Sequence, residues 1–309
     1  MQNQYAGDIH DFAKFLLLGR LKGVKIGIVW LLFPDEDNGD GRHRCFSSYS
    51  SLKIKGEETK KLAELLEEFY CRIVCDKRDP SVAELWPLVE KYLEKRGVEV
   101  IFPDKSREGG AIEWESLYIE KPEFSGKGEK RRRYREEYMA RHLRFFKENG
   151  CEVVFFDPDT GLRVEKGNGK REESAKDKKG KGRTSRIKKS TKYGGKYIFW
   201  DEVTHFLKEG MGIIIYDSLP KDKKHEEFIK DKSKEILEKL KELEVLKKEG
   251  EPPSVYGVRF EKIQPHFYWI IFPWENKLIE KIEEIEKERT LSSFFKVYKD
   301  GRKLSTTKK

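Results

Sequence analysis

The sequence predicts an α/β fold with a mainly parallel, doubly wound sheet, and three observations support this prediction. Short apolar runs of strand length alternate with amphipathic helical stretches along most of the 309 residues. Several runs end abruptly in acidic, proline or glycine residues, as buried parallel strands do at the carboxyl edge of a sheet. Two consecutive runs near the end have no helix between them, which predicts an antiparallel C-terminal hairpin on one edge.

The individual elements follow from the same patterns. Apolar positions at helical spacing predict a first helix over residues 10–22, and the run from Lys25 to Phe33 is typical of a buried strand. Further helices are predicted over residues 57–71, 82–95, 129–149, 197–208, 225–248 and 277–287. Further strands are predicted over residues 98–102, 151–156, 212–216, 254–260 and 267–272, and the tail from about residue 290 is loosely specified.

The composition indicates a polyanionic partner. Charged residues make up 39% of the chain, the formal net charge is +9 and the pI is near 9.1. The abundance of Lys, Glu and Arg also suits a heat-adapted, thermophile protein. Because the chain has neither a spanning apolar stretch nor a signal-peptide pattern at its start, we expect a cytoplasmic protein without a membrane partner. The cysteines and histidines show no zinc spacing, so no metal is expected.

A basic tract over residues 163–196 is predicted to be a flexible loop within a single domain spanning residues 1–309. Lys, Arg, Gly and Ser dominate it, and nothing in it can form a core. Together with the basic helix over residues 129–149, it supplies candidate phosphate contacts, although a solvated surface is the alternative. These candidates are Arg131, Arg132, Arg133, Lys181, Arg183, Arg186, Lys188 and Lys189.

The segment over residues 151–162 holds the strongest candidate site. An apolar run ends there in Asp157, Pro158 and Asp159, which places two carboxylates at the carboxyl edge of the predicted sheet. Proline has no N–H to donate, so it stops the strand. Asp157 is the first candidate for chemistry, with a simple turn cap as the alternative. Asp159 is a second hydrogen-bond acceptor, a metal-binding partner of Asp157 or a solvated turn residue.

Four short stretches, in this order, resemble a known family. Residues 6–14 share Ala6, Gly7, Asp11 and Lys14 with its opening stretch, and the others are residues 39–42, Asp157-Pro158 and residues 268–274. The chain is similar here to bacterial large-subunit ribosomal RNA adenine-N6 methyltransferases. More broadly, it resembles class I S-adenosylmethionine-dependent amino-methyltransferases with an Asp-Pro-Pro-Tyr motif. Asp159 and Thr160 replace the Pro-Tyr half of that motif, so the aromatic residue that stacks on the target base in the family is missing here.

The resemblance implies a Rossmann-like class I methyltransferase fold over residues 1–309, with a helical and strand insertion at about 46–125. It implies S-adenosylmethionine as cofactor and a catalytic role for Asp157, Pro158 and Asp159. The residues expected to bind the cofactor are Lys14, Asp11, Asp35, Gly39, Asp40, Gly41 and Asp104. For Lys14 and Asp11 a surface ion pair is the alternative, and for Asp104 a turn acid.

The sequence is therefore compatible with three functions. The first is a methyltransferase that acts on nucleic acid, RNA ahead of DNA, at a base nitrogen. The second is a metal-dependent nuclease that uses Asp157, Asp159 and Glu202. The third is a catalytically inactive, methyltransferase-like protein that binds nucleic acid.

Overall fold

The computed structural model of the chain describes residues 6–32, 56–75, 82–101, 128–163, 192–220, 224–243, 254–262, 265–272, 277–288 and 291–304. These residues form a mixed α/β structure in which helices cover both faces of a central sheet. Among them, no helix is long and apolar enough to cross a membrane.

The central sheet has eight strands in the described part of the chain. They are β1 Lys25–Trp30, β2 Glu99–Ile101, β3 Val153–Asp157, β6 Gly212–Ser218, β7 Val255–Phe260, β8 His266–Ile271, β9 Phe295–Lys299 and β10 Arg302–Lys303. A separate parallel pair consists of β4 Gly161–Arg163 and β5 Tyr197–Phe199. The order across the large sheet is β10-β9-β7-β8-β6-β3-β1-β2.

Most strands of the large sheet run in one direction. Strands β2, β1, β3 and β6 are parallel neighbours, whereas β8 pairs antiparallel with both β6 and β7. Strand β9 is antiparallel to β7, and β10 is antiparallel to β9. Strands β2, β1, β3, β6, β7 and β10 therefore share one direction, which is six of the eight. This confirms the predicted mixed α/β architecture with a mainly parallel sheet.

Seven α-helices among the described residues form the two outer layers. They are α1 Ile9–Leu18, α2 Glu57–Cys75, α3 Val82–Glu94, α4 Gly128–Glu148, α5 Trp200–Lys208, α6 His225–Glu242 and α7 Lys277–Lys287. Helices α1, α2, α3 and α7 pack on one face of the sheet, and α4, α5 and α6 on the other. Strand β3 shows why its sequence is an unbroken apolar run: Val153 and Phe155 face the first layer, while Val154 and Phe156 face the second.

The end of the chain corrects one prediction. The antiparallel hairpin of β7 and β8 is present, but it does not lie on an edge, because β9 pairs with the outer side of β7. The tail that looks loosely specified contains a 3₁₀ turn over Leu291–Ser293, then β9 and β10. Apolar residues of β9 explain the difference, since Phe295, Val297 and Tyr298 are buried in the core.

A second correction concerns residues 192–199. The sequence predicts a loop up to residue 196 and a helix from residue 197. Instead, Lys192–Lys196 forms a 3₁₀ turn, Tyr197–Phe199 forms β5, and the helix begins at Trp200. Three consecutive residues with high β-propensity, Tyr197 to Phe199, favour this outcome. Residues 164–191 of the basic tract lie outside the described residues.

A buried arginine of α4 fixes this segment in place. Arg135, which is 2% exposed, pairs with both carboxylate oxygens of Glu202 on α5, with Nη2 at 2.7 Å from Oε2. It also donates to the backbone carbonyls of Gly194 at 3.1 Å and Tyr197 at 2.6 Å. The Glu202 carboxylate in turn accepts the N–H of Phe199 at 2.9 Å. The guanidinium group thus donates hydrogen bonds to the 3₁₀ turn, to β5 and to α5.

We expect Arg135→Met to lower the free energy of unfolding by about 3–5 kcal/mol, because it leaves the Glu202 carboxylate buried without its partner. Urea denaturation measures this change. Arg132→Met on the same helix is the matched control, since Arg132 is half exposed and pairs with Glu129 at 2.6 Å. Its cost is expected to be much smaller, because ion pairs between exposed side chains contribute little to stability. Equal costs for the two variants would contradict the role assigned to Arg135.

Candidate functional site

A row of four side chains crosses the sheet at the carboxyl ends of its parallel strands. Trp30, the last residue of β1, is in register with Asp157, the last residue of β3. Phe156 pairs with Ile215, so the next residues, Asp157 and Tyr216, are neighbours. Tyr216 pairs in turn with Tyr268 of β8. Trp30, Tyr216 and Tyr268 belong to the core cluster beneath α1, so the row lies on that face of the sheet.

Helix α1 covers this row and presents three polar side chains on the side that faces it. Its N-cap, Asp8, accepts the backbone N–H groups of His10 and Asp11, as short acidic caps do. His10 and Lys14 are four residues apart and Asp11 and Lys14 three, so these side chains share one helix face. The N–H of Gly7, whose φ is +80°, donates to the second oxygen of Asp11 at 2.8 Å. The start of α1 is therefore fixed to its own polar face.

The ammonium of Lys14 bridges two carboxylates in the interior. Its Nζ lies 2.8 Å from Asp11 Oδ1 and 2.7 Å from Asp157 Oδ2, and all three side chains are at most 3% exposed. Lys14 also lies over the ring of Trp30, at 5.6 Å from its centroid. The alternative that Lys14 and Asp11 form a surface pair is therefore wrong. The contact joins the residue at the end of β3 to the helix that precedes the first strand.

Burial and charge act against each other in this triad. Burial raises the pKa of Asp11 to about 6, and the charge of Lys14 opposes this effect. Burial acts to lower the pKa of Lys14, but the carboxylates of Asp11 and Asp157 outweigh it and raise that pKa above its ordinary value. The ammonium therefore stays charged at neutral pH, and it favours the ionised form of the carboxylates that it contacts.

Two histidine–tyrosine pairs continue the row on the side away from Lys14. His10 Nδ1 lies 3.2 Å from the phenol oxygen of Tyr216, and His266 Nε2 lies 3.0 Å from that of Tyr268. The imidazole rings of His10 and His266 are 4.6 Å apart. Burial raises the pKa of both phenols well above its ordinary value, and the charge of Asp157 adds to this effect. Both tyrosines therefore remain protonated donors. The sequence assigned these histidines no role; the spacing of His10 to Lys14 is the signal that could have indicated one.

The turn after β3 is held by its surroundings rather than left in solvent. Asp159 lies 3.4 Å from Lys196, and both side chains are 15% exposed. The N–H of Thr160 donates to the carbonyl of Lys196 at 2.8 Å, and the carbonyl of Thr160 accepts from Ser218. Asp159 is therefore an ion-paired residue, and a simple solvated turn acid is not what the structure shows.

Gly161 closes this turn against a buried carboxylate of β6. Its φ is +138°, and a Cβ at this position would lie 1.9 Å from Asp217 Oδ1, so only glycine fits. Asp217 accepts the indole N–H of Trp269 at 2.8 Å, and burial raises the pKa of Asp217 to about 6. The carbonyl of Leu162 accepts from Lys232 at 2.8 Å. Asp217 was not among the predicted site residues, although its position at the end of an apolar run resembles that of Asp157.

Glu202 does not join the carboxylates of the row. Its carboxylate forms a salt bridge with Arg135 within the opposite layer of helices. Among the described residues, no group of three or more His, Cys, Asp or Glu side chains could hold a metal ion. The arrangement of Asp157, Asp159 and Glu202 needed for a metal-dependent nuclease is therefore not formed within the described part of the chain.

The remaining predicted site residues are either buried, exposed on α4 or outside the described part of the chain. Arg131 is 5% exposed and lies in the interior, so it does not face solvent as a phosphate contact would. Arg132 and Arg133 are exposed and pair with Glu129 and Glu137 on their own helix. The others lie outside the described residues: Asp35, Gly39, Asp40, Gly41, Asp104, Lys181, Arg183, Arg186, Lys188 and Lys189.

Comparison with protein-family models, curated protein sequences and solved structures gives no match to this chain. The chemistry of the row therefore has to be inferred from its own geometry and from the sequence motifs that place it at the sheet edge.

We expect Lys14→Met to lower the free energy of unfolding by about 3–5 kcal/mol at pH 8, because two carboxylates lose the ammonium between them. Without Lys14, the folded-state pKa of Asp11 rises further above its unfolded value. The folded state then binds a proton more tightly than the unfolded state, so the lost stability returns as the pH falls from 8 to 5.

Denaturation in guanidinium chloride across that pH range measures this effect. Lys25→Met is the matched control, since Lys25 is 31% exposed and pairs with the exposed Glu99. It is expected to cost less than about 1 kcal/mol at every pH. A Lys14→Met deficit that stays constant from pH 5 to 8 would show that the carboxylates are not the source of the loss.

Proposed function

We propose that this protein is an S-adenosylmethionine-dependent methyltransferase that acts on nucleic acid, RNA ahead of DNA, at a base nitrogen. One observation carries the proposal: the carboxylate of Asp157 lies at the carboxyl end of a central parallel strand, fixed by Lys14 from α1. Both residues belong to stretches that resemble class I amino-methyltransferases. Two distant stretches of the chain that share this resemblance thus meet in one buried contact.

The sheet supports the same reading. Ligands of open α/β sheets bind outside the carboxyl ends of the strands, and the row of Trp30, Asp157 and Tyr216 lies at that edge. A mainly parallel sheet with a late antiparallel hairpin is also the arrangement that the resemblance to class I methyltransferases implies.

The charges of the row fit a cationic methyl donor. The carboxylates of Asp8, Asp11 and Asp157 all raise the pKa of the buried Tyr268 phenol, so their negative charges act on the same space. Lys14 lies between two of them. An excess of negative charge favours a positively charged ligand. S-adenosylmethionine would supply an electrophilic methyl group on a sulfonium, and Asp11, Lys14 and Asp157 are the described residues that would lie beside it.

Asp157 can act on the acceptor by position and charge. A carboxylate offers about four acceptor sites, so Asp157 could accept an amine N–H of the substrate in addition to the bond from Lys14. Hydrogen bonding to the amine would orient the nitrogen lone pair and stabilise the positive charge that develops as the N–C bond forms and the bond between the methyl carbon and sulfur breaks, with its electron pair left on the sulfur. The methylated nitrogen would then lose a proton to water and become neutral. Pro158 and Asp159 hold this carboxylate at the end of β3 through the turn fixed by Lys196.

A nucleic-acid partner is supported by where the basic tract begins and ends. Arg163 at its start is the last residue of β4, and Lys196 at its end directly precedes β5; the two strands pair in register from Gly161 and Tyr197. Lys196 contacts Asp159, two residues after Asp157. The tract therefore joins the fold directly beside the proposed catalytic carboxylate, and the net charge of +9 favours a polyanion.

We expect Asp157→Asn to reduce methyl transfer at least about 100-fold, and by a larger factor than it weakens the binding of S-adenosylmethionine, because the amide cannot stabilise the developing charge. The assay follows tritium from labelled S-adenosylmethionine into RNA and DNA pools, with calorimetry for binding. Asp231→Asn, an exposed carboxylate on α6, is the control and should retain full activity.

Assays of RNA binding and of nucleic-acid cleavage, run beside these measurements, separate the rival functions. A protein that binds RNA in a salt-sensitive way but binds no S-adenosylmethionine would be a binding module, and the methyltransferase proposal would fail. Cleavage of RNA or DNA that requires Mg²⁺ and is lost in Asp157→Asn would favour the nuclease instead.

A further inference from the structure

Two side chains of the small sheet, one from each strand, are stacked on each other. The guanidinium carbon of Arg163, the last residue of β4, lies 4.6 Å from the ring centroid of Tyr197, the first residue of β5. The other residues of these two strands are buried, whereas Arg163 is exposed and Tyr197 is partly exposed. The small sheet therefore presents a cation stacked on an aromatic ring to solvent, and this pair has no part in the steps described so far.

The backbone of Tyr197 is held from the protein interior. Arg135, buried on α4, donates to the carbonyl of Tyr197 at 2.6 Å and to that of Gly194 at 3.1 Å. The N–H of Thr160 donates to the carbonyl of Lys196 at 2.8 Å, so the residue before Tyr197 is held as well. A ring on an anchored backbone loses less conformational freedom when a ligand stacks on it. The position of Tyr197 is thus set before any ligand binds.

The charge around the stacked pair suits a polyanion. Residues 164–191, between the two strands in sequence, contain 11 Lys and Arg against four Asp and Glu, so they carry +7 of the net charge of +9. The ammonium of Lys232 on α6 lies 2.8 Å from the carbonyl of Leu162, the residue before Arg163. Both points at which this segment joins the small sheet therefore carry a cation, Arg163 at one and Lys196 at the other. Such a surface attracts phosphate groups.

The stacked pair also indicates which polyanion it fits. Residues 164–191 contain no Phe, Tyr or Trp, so they offer charges for phosphate groups and no aromatic ring for a base. Phenol rings and guanidinium planes are both surfaces on which unpaired bases stack. In a duplex each base is already stacked between its neighbours and has to leave the helix to meet such a surface. An aromatic ring beside cations therefore favours an unpaired strand over a duplex.

We propose that Arg163 and Tyr197 form a docking surface for an unpaired nucleic-acid strand, with a base stacked on the pair and the adjacent phosphate bound by the edge of the Arg163 guanidinium. The inference rests on the nucleic-acid partner of the proposed function and narrows that partner to a single strand. Neither residue is among the site residues predicted from the sequence. Because Lys196, next to Tyr197, contacts Asp159, a strand bound here lies beside the turn that follows β3.

Fluorescence anisotropy of the full chain with labelled oligonucleotides tests this inference in the absence of any cofactor. The probes are oligouridine and oligothymidine of about 12 nucleotides and a mixed-sequence duplex of the same length. We expect the wild-type protein to bind both single strands more tightly than the duplex. Tyr197→Leu should weaken binding of the single strands roughly 5- to 150-fold and leave binding of the duplex unchanged. Tyr197→Phe keeps the ring and should bind as the wild-type protein does.

The salt dependence of binding separates the two side chains. Arg163→Gln should weaken single-strand binding and make the slope of log K against log salt shallower by about 0.7, because one phosphate contact is lost. Tyr197→Leu should weaken binding without changing that slope, which general damage to the fold would not produce. The controls are Phe145→Leu, a partly exposed ring on α4, and Arg302→Gln, an exposed cation on the edge strand β10. Both should bind as the wild-type protein does.

Several results would overturn the inference and leave a nucleic-acid partner standing. These are tighter binding of the duplex by the wild-type protein, equal losses of single-strand and duplex binding in Tyr197→Leu, no loss in that variant, a loss of the same size in Tyr197→Phe, and an unchanged slope in Arg163→Gln. If the wild-type protein binds none of the three probes, the inference and the nucleic-acid partner fail together. Binding of S-adenosylmethionine, measured by calorimetry, decides the cofactor separately.

Discussion

The described structure depends on an ammonium group placed between two carboxylates in the interior. Lys14 contacts Asp11 within its own helix and Asp157 across the fold, and burial makes each charge costly unless the other two are present. This constraint positions α1 over the carboxyl ends of the central strands. It also brings His10, one turn earlier, against the phenol of Tyr216. The proposed catalytic carboxylate and the pair of His10 and Tyr216 are thus placed by one interaction.

The two layers of helices contribute differently: one supplies side chains to the row, and the other holds the turn after β3. The layer that contains α1 provides every polar side chain of the row that does not come from the sheet itself. The opposite layer holds the turn after β3 indirectly, because Arg135 of α4 fixes the residues around β5, and Lys196 beside them contacts Asp159. A buried ion pair on one side of the sheet therefore supports an ion-paired turn at its edge.

Sequence patterns could predict the architecture because burial dictates them directly. The apolar run of β3 and the periodicity of α7 each depend on which faces are covered, and their bounds are nearly as expected. Strands β5 and β9 were not predicted, since strands of three and five residues are too short to establish a period. Within the site, Asp157 was visible because it ends an apolar run. His10 and Tyr216 were not, because their importance comes from contacts between residues 206 positions apart.

The small sheet of β4 and β5 has a consequence for how this chain could vary. Gly161 and Tyr197 are direct neighbours, so two positions separated by 35 residues of the sequence lie side by side in the structure. The entropy cost of bringing the two ends of a chain segment together grows only slowly with the length of that segment. The number of positive charges between residues 164 and 191 can therefore change through insertion or deletion without altering the sheet that holds Asp157.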